Sequence, residues 1–398
     1  MRKKTHLLAS LLISVILLSS CATPGGSDVN QSMIDKPSIP GETSSLSYDM
    51  LTAEEWLSTF ETVDYKGYAF TIATSKDGRF SYNEEQNSKI NQAIEKRNKL
   101  VSDKYNIKIT ERYVKENEIV ATLTANANAG LQYSDLISVS MTSASKLAYS
   151  GSLMNLLSVP YVNFDALYMS DLAKKSLANH TAYSIYNDFS MCQDQLWCVF
   201  YNKTLLKTAG LEDPSALYKR GEWTWDKLIE FSHKIAAVTM KKDSPNLLKD
   251  VFGFSSYGTK NELIQTIFES SGLSSYLQSY KSDLTLNTNV ADLDLAATKT
   301  RQIINDKSYY SLNGDNAKNT FASGRTAFLL YTLEFSKLIS NSSLDWAIVP
   351  LPKLIPNQTN TFSLLDNMSA GISVPACQTD SIRTGRILNA LFAASHDY

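Results

Sequence analysis

The sequence is short of the residues and motifs that most enzymes depend on. Histidine occurs four times in 398 residues, at His6, His180, His233 and His396, and none of them stands at metal-ligand spacing. There is no G-x-S-x-G, no phosphate loop and no dinucleotide-binding glycine fingerprint. These absences exclude the metal, acyl-transfer and nucleotide chemistries that local motifs announce, and no cofactor or metal is expected. Paired glycosidase carboxylates stay open, because any two Asp or Glu can meet in space. Positive charge is not in excess either. Lys and Arg number 38 against 40 Asp and Glu, for a net charge of -2, which leaves no broad attraction for nucleic acid or an anionic lipid surface. No internal repeat is present. What remains is 43% hydrophobic and 20% charged, the balance of a globular chain. At 398 residues it is too long for one small core, so two domains are expected.

The N-terminus carries the first positive signal. Arg2, Lys3, Lys4 and His6 precede an almost wholly apolar run, Leu7 to Leu18. That run is too short to cross ~30 Å of hydrocarbon, so it reads as the core of a signal peptide over 1–20. It ends in Leu18-Ser19-Ser20-Cys21, which resembles a bacterial lipobox. The resemblance implies that Cys21 becomes a lipidated first residue, with the mature protein on the outer face of the cell membrane or in the periplasm. Removal of the leader would also take three positive charges with it. Residues 21–47 are rich in Gly, Pro, Ser, Asp and Asn without apolar period, a flexible tether reaching roughly 28 Å.

Three cysteines follow: Cys192, Cys198 and Cys377. An odd number argues against a disulfide framework. On one strand Cys192 and Cys198 would stand ~20 Å apart, and only a turn at Gln193 to Leu196 could pair them. Buried free thiols are expected.

Beyond the tether, strand and helix patterns alternate. Tyr68 to Ala73, Tyr105 to Tyr113 and Leu136 to Val139 read as strands. Ser81 to Glu84 has a capping-box form ahead of a helical face with Ile90, Ile94, Leu100 and Val101. A second helical face carries Ile119, Val120, Leu123 and Ala127. Further on, Thr224 is a helix N-cap before Trp225, Leu228, Ile229 and Ile235. A helix over Leu293 to Ile304, strands at Ala327 to Tyr331 and Trp346 to Val349, and a helix over Ile387 to Ala394 complete the pattern. Lys241 to Lys249 reads as loop. The alternation predicts an α/β fold with a mostly parallel sheet.

Five stretches in order resemble the family 1 extracellular solute-binding proteins, the maltodextrin-binding-protein-like lipoproteins of ABC transporters. They are Ser134-Asp135-Leu136-Ile137 with Gly151 to Leu156; Val199 to Leu206 with Ala209-Gly210-Leu211 and Trp223 to Leu228; Phe321 to Phe328; Trp346 to Pro352; and Ser369 to Pro375. The resemblance implies a two-lobe, type II periplasmic-binding-protein-like fold with a ligand cleft between the lobes. Lobe 1 would hold 48–197 with 350–398, and lobe 2 would hold 198–349, with crossings at Gln195 to Tyr201 and Asp345 to Pro352. Family members usually run on through a third crossing and closing helices, whereas this chain stops at Tyr398. Without those helices, apolar surface on lobe 2 is expected to lie uncovered. The implied function is capture of a carbohydrate, an oligosaccharide in particular, by hinge closure and delivery to ABC permease subunits, by a monomer without enzymatic activity. A peptide or polyol ligand, a sensor role at a membrane receptor, and a carbohydrate-active enzyme are the alternatives.

Position against that family nominates the binding residues. Lys76 and Asp77 follow the first strand, with Ser75 and Asp77 serving equally well as turn residues. Ser140, Thr142 and Ser143 follow Leu136 to Val139. Small residues here replace the aromatic and charged contacts of the maltodextrin type, which points away from maltodextrin. Asp194 and Gln195 precede Tyr201, Glu334 follows Ala327 to Tyr331, and Asp366 and Asn367 precede Ser369. Carboxylates and amides suit sugar hydroxyls, and aromatic rings suit the C–H faces. Glu334 could instead pair with Arg325 or Lys337. Trp197 divides evenly between core and cleft, while Trp223, Trp225 and Trp346 are expected in the core and Asp135 in a structural role.

Overall fold

The computed structural model describes residues 51–398 except 77, 86–87, 127–129, 177–178, 240–243, 274–275, 280–281, 313, 356–357 and 397–398. The leader 1–20, Cys21, the tether 21–47 and Asp77 therefore lie outside the described residues. All described residues belong to one unit, Ser47–Tyr398.

Local signals set the first elements. Thr52 and Glu55 form a capping box that starts α1 (Ala53–Ser58). The strand β1 (Tyr68–Thr74) leads to α2 (Lys89–Tyr105), which Asn106 ends in the left-handed conformation, φ 47°. Then come β2 (Ile107–Tyr113), α3 (Glu116–Asn126), β3 (Leu136–Ser140), α4 (Met141–Tyr149) and the short α5 (Asp171–Lys175). The N-cap of α2 is Ser88, not Ser81. Ser81 is claimed by a tertiary partner: the Glu111 carboxylate of β2 accepts from the backbone N–H groups of Arg79, Phe80 and Ser81 and from the Ser81 hydroxyl. Ile90 accordingly points outward, and Asn91, Ile94, Arg97, Val101 and Tyr105 form the inner face of α2.

The chain next enters a second sheet with β4 (Trp197–Asn202). It continues through α6 (Lys203–Thr208), α7 (Pro214–Lys219), α8 (Trp225–Ile235), β5 (Phe252–Ser256), α9 (Lys260–Glu269) and the hairpin β6 (Tyr276–Ser279) and β7 (Ser282–Leu286). After these come α10 (Val290–Ile304), β8 (Tyr309–Tyr310), α11 (Gly314–Ala322), β9 (Thr326–Thr332), α12 (Phe335–Ile339) and β10 (Trp346–Val349). Thr224 caps α8 as expected, and Thr259 with Glu262 forms a capping box on α9. Finally β11 (Ala370–Ser373) and α13 (Ser381–Ser395) return to the first sheet.

Among the described residues the first sheet has the order β11-β3-β1-β2 and the second β10-β4-β9-β5-β8. The first is mostly parallel, as expected, and the second is evenly mixed. The pairs β1–β2, β1–β3, β5–β9 and β5–β8 are parallel, but β11–β3, β4–β9 and β10–β4 are antiparallel. The antiparallel strands are β4, which opens the second sheet, β10, which closes it, and β11, which returns to the first. Both sheets are covered on two faces, which is why β3, β4 and β9 are buried at every position. Phe70, Ile72, Val101, Leu388 and Phe392 form the core on one face of the first sheet, and Ile119, Leu123, Val139 and Leu147 the core on the other. Leu228, Phe254, Ile267 and Phe328 pack one face of the second sheet, and Phe200, Phe321 and Phe335 the other. Full burial of each such side chain contributes about 1.5–3 kcal/mol.

The two connections between the sheets differ from the expected crossings. Trp197 to Tyr201 already belongs to β4, so the first connection lies just upstream. Trp346 to Val349 is β10, so the second connection is the later stretch that ends at β11. The two run side by side: Leu196 bridges Leu365, the Trp197 N–H donates to the Leu364 carbonyl at 2.9 Å, and the Asp366 N–H donates to the Gln195 carbonyl at 2.9 Å. Cys192, Cys198 and Cys377 are free and buried. Trp223 and Trp225 are core residues at 1% exposure, and Trp346 packs against Phe200. Among the described residues no helix is long and apolar enough to cross a membrane, and no cluster could hold a metal ion.

Candidate functional site

The second of the paired connections forms the floor of a cavity of about 490 Å3. On the side of the first sheet its wall is built from α4 (Met141, Ala144, Ser145), α5 (Leu172, Lys175) and the segment 181–186, which supplies Tyr183, Ser184 and Tyr186. On the side of the second sheet the wall is Trp197 of β4 with Glu262 and Gln265 of α9. Leu364, Leu365, Asp366 and Asn367 close the bottom. The cavity thus takes side chains from both halves of the fold, and its size suits a small organic ligand.

Its polar groups are held in place. The Trp197 indole N–H donates to Asp366 Oδ2 at 3.0 Å, and the Met368 N–H donates to Asp366 Oδ1 at 2.8 Å. Trp197, 2% exposed, therefore serves both core and cavity. Glu262 Oε2 accepts from the Thr259 N–H at 2.6 Å, so its position is tied to the first turn of α9. Asn367 is exposed at the mouth.

The other nominated residues gather beside the connection in an ion-paired cluster. Arg79, buried, donates to Asp194 at 2.7 Å and to the carbonyls of Ser190 and Met191 at 3.2 and 2.5 Å. Lys337 of α12 reaches the same Asp194 oxygen at 3.2 Å. Gln195 donates to Glu334 Oε2 at 2.6 Å, and the Glu334 N–H donates to the Asp194 carbonyl at 2.7 Å. Burial disfavours the Asp194 charge, but Arg79, with Lys337 and Lys76 beyond it, outweighs burial and holds the carboxyl below its ordinary value. Lys76 is half-buried in the same field, and its ammonium is pushed down by burial and by Arg79, against the pull of Asp194 and Glu334. Tyr331 links cluster and floor. Its hydroxyl is pushed up by burial, then by Tyr257, with which its ring stacks edge-on at 4.1 Å, and then by Glu334 and Asp366.

Ser140 is brought to neither group as a free hydroxyl. It caps α4 by accepting from the Ser143 N–H, and it donates to Glu116, which also accepts from Ser143 and Ser75. This carboxylate ties the ends of β1 and β3 to α4 and so fixes the Met141 wall. Asp135 is structural, accepting from the Thr71 N–H, the Tyr68 hydroxyl and Gln378. Glu334 pairs with neither Arg325 nor Lys337. Arg79, Lys337, Tyr183, Tyr186, Glu262 and Gln265 were not nominated from sequence. Glu262 carried one signal, the Thr259 capping box, which reads as structural, and the tyrosines lie in a segment without periodicity.

A family model described as bacterial extracellular solute-binding protein matches residues 92–384. A cyclo/maltodextrin-binding protein complexed with maltotetraose is similar in structure, with TM-score 0.53, 17% identity and coverage of 83% of this chain and 77% of that one. The galacto-N-biose-/lacto-N-biose I-binding protein of an ABC transporter from Bifidobacterium longum, in complex with lacto-N-biose, gives TM-score 0.52, 15% identity and coverage of 83% and 78%. The GacH receptor of Streptomyces glaucescens GLA.O, solved unliganded and with acarbose, gives TM-score 0.50, 14% identity and coverage of 82% and 76%. At these identities the likeness speaks for the two-lobe fold. A search of curated proteins returns no match.

Proposed function

Because the chain belongs to the bacterial extracellular solute-binding proteins, we propose that it is the solute-binding component of an ABC importer and that its cavity takes a carbohydrate. The observation that carries this reading is a cavity of about 490 Å3 walled by both halves of the fold and floored by the second connection between them. Tyr183 and Tyr186 suit the C–H faces of sugar rings, and Asp366, Asn367, Glu262 and Gln265 suit the hydroxyl rim. The carbohydrate class is further supported by the fold relatives, described with maltotetraose, lacto-N-biose and acarbose.

In the proposed mechanism the two lobes, one around each sheet, turn about the paired connections. A ligand touches both walls only in the closed form, so its differential affinity shifts the population toward that form, which a permease then reads. Lys76, Asp194, Gln195 and Glu334 sit at or beside the connection, where they would set the geometry of closure. The leader and lipobox support an outer-face location with Cys21 as anchor, and the protein acts as a monomer that binds without turnover.

A thermal-shift screen against mono- and oligosaccharides tests the reading. At a hundredfold excess over Kd a bound sugar adds roughly 2.7 kcal/mol. Unfolding entropy of about 2.1 cal/mol/K per residue makes that a rise of about 4 °C for a body of this size. Asp366→Ala should remove the rise while labelled oligosaccharide stays intact throughout. No shift with any sugar, or the same shift in Asp366→Ala, defeats the proposal.

A further inference from the structure

Two glycines stand directly behind the cavity's walls, one in each half. A Cβ at Gly258 would lie 2.9 Å from Trp197 Cη2 and 2.9 Å from Glu262 Oε2. A Cβ at Gly371 in β11 would overlap Ser184 Oγ and come within 2.8 Å of the Tyr186 ring. All four neighbours line the cavity. Neither glycine has positive φ, so the backbone does not call for glycine at either place. The missing side chain serves space, the usual meaning of a strand glycine at a close approach. We infer that Gly258 and Gly371 set the width of the ligand cavity, fixing where Trp197 with Glu262, and Tyr186 with Ser184, stand, and so determine how long a ligand fits. The inference rests on reading the cavity as a carbohydrate site. Trp197 packs in one core cluster with Val199, Leu263 and Phe328 and also lines the cavity, so an indole pushed from Gly258 yields toward the open space and not into close-packed core. Glu262 cannot swing away freely, because its carboxylate holds the Thr259 N–H.

The test is Gly258→Ala in the full chain, labelled with fluorotryptophan. The five tryptophans give five resonances, and Trp197→Phe identifies one of them. The inference expects that resonance to move in Gly258→Ala while those of Trp56 and Trp346 stay. Glucose, maltose, cellobiose and their three- and four-ring homologues are then titrated. The longest sugar that the parent protein binds should weaken at least tenfold and the shortest less than threefold. In the Trp197→Phe background, which lacks one of the two atoms 2.9 Å from the new methyl, adding Gly258→Ala should change affinity by a smaller factor than in the parent. A Trp197 resonance that stays put overturns the inference, as does an unaltered order of preference among bound sugars. If the parent binds none of these sugars the carbohydrate reading fails, and the resonance alone still decides whether Gly258 positions the wall. Gly371→Ala repeats the test on the other wall.

Discussion

Replacing Arg79 by Met removes the buried cation from beneath the connection while keeping most of the side-chain volume. Three hydrogen bonds go with it: to Asp194 at 2.7 Å and to the Ser190 and Met191 carbonyls. Breaking a fully buried pair costs about 3–5 kcal/mol. Asp194, however, keeps Lys337 at 3.2 Å and 17% side-chain exposure, which puts the loss at roughly 2–3 kcal/mol. The Ser190 carbonyl, in a fully buried residue, adds about 1 kcal/mol when its donor disappears. The sum, ~3–4 kcal/mol, corresponds to a fall in Tm of about 4–6 °C at roughly 0.7 kcal/mol/K for a body of this size. The assay is a cycle of urea unfolding curves for the parent protein, Arg79→Met, Asp194→Asn and the double variant. The two changes should be non-additive by about 2 kcal/mol. Because Arg79 is buried, that coupling should survive 0.5 M salt, unlike the exposed Lys337 contribution. Additive changes, or an Arg79→Met protein within ~0.5 kcal/mol of the parent, would refute the reasoning.

Two further outcomes follow from the same geometry. The Asp194 carboxyl is held below its ordinary value near 3.8, so its folded pKa lies below its unfolded one. Its stabilisation is present above about pH 4 and is lost as pH falls through the folded value. Tm measured from pH 5 down to pH 2.5 should therefore drop less steeply for Asp194→Asn than for the parent, and parallel curves would contradict the assignment. Gly385 lies inside α13, where alanine ordinarily gains about 1 kcal/mol. Here a Cβ would overlap the Pro160 carbonyl and press on Val159 at 2.9 Å, so Gly385→Ala should instead cost about 1–3 kcal/mol. A stability equal to or above that of the parent in denaturant titration would show that the helix has room.

The sequence was most readable where burial and hydrogen bonding are local. Tyr68 to Ala73 and Leu136 to Val139 each fell within a residue of their strands, and Thr224 capped α8, because these signals need no distant partner. It misled where a distant group intervened. The Ser81 pattern has the form of a cap, yet Glu111 of β2 collects those N–H groups and the helix waits for Ser88. Lys337 stands three residues from Glu334 and reads as its partner, but Asp194, far away in sequence, takes it. The same limit applies to the cavity. Trp197, Asp366 and Asn367 could be nominated because they flank matched strands, whereas Tyr183, Tyr186 and Glu262 reach it only through tertiary packing. Parallel order held for most of the first sheet but not for the second, because the strands that carry the chain between halves run against their neighbours.

The pairing of β3 with β11 joins Ser140 to Ala370 across the entire second sheet. As the chain emerges residue by residue, β3 has no neighbour on that side until everything from β4 to β10 has been made. Its five positions are all buried in the finished protein, so during synthesis an edge of unpaired backbone groups stands bare, open to wrong partners. The first half consequently cannot complete itself early, and a nascent chain kept from finishing is one that can still be threaded through a narrow pore.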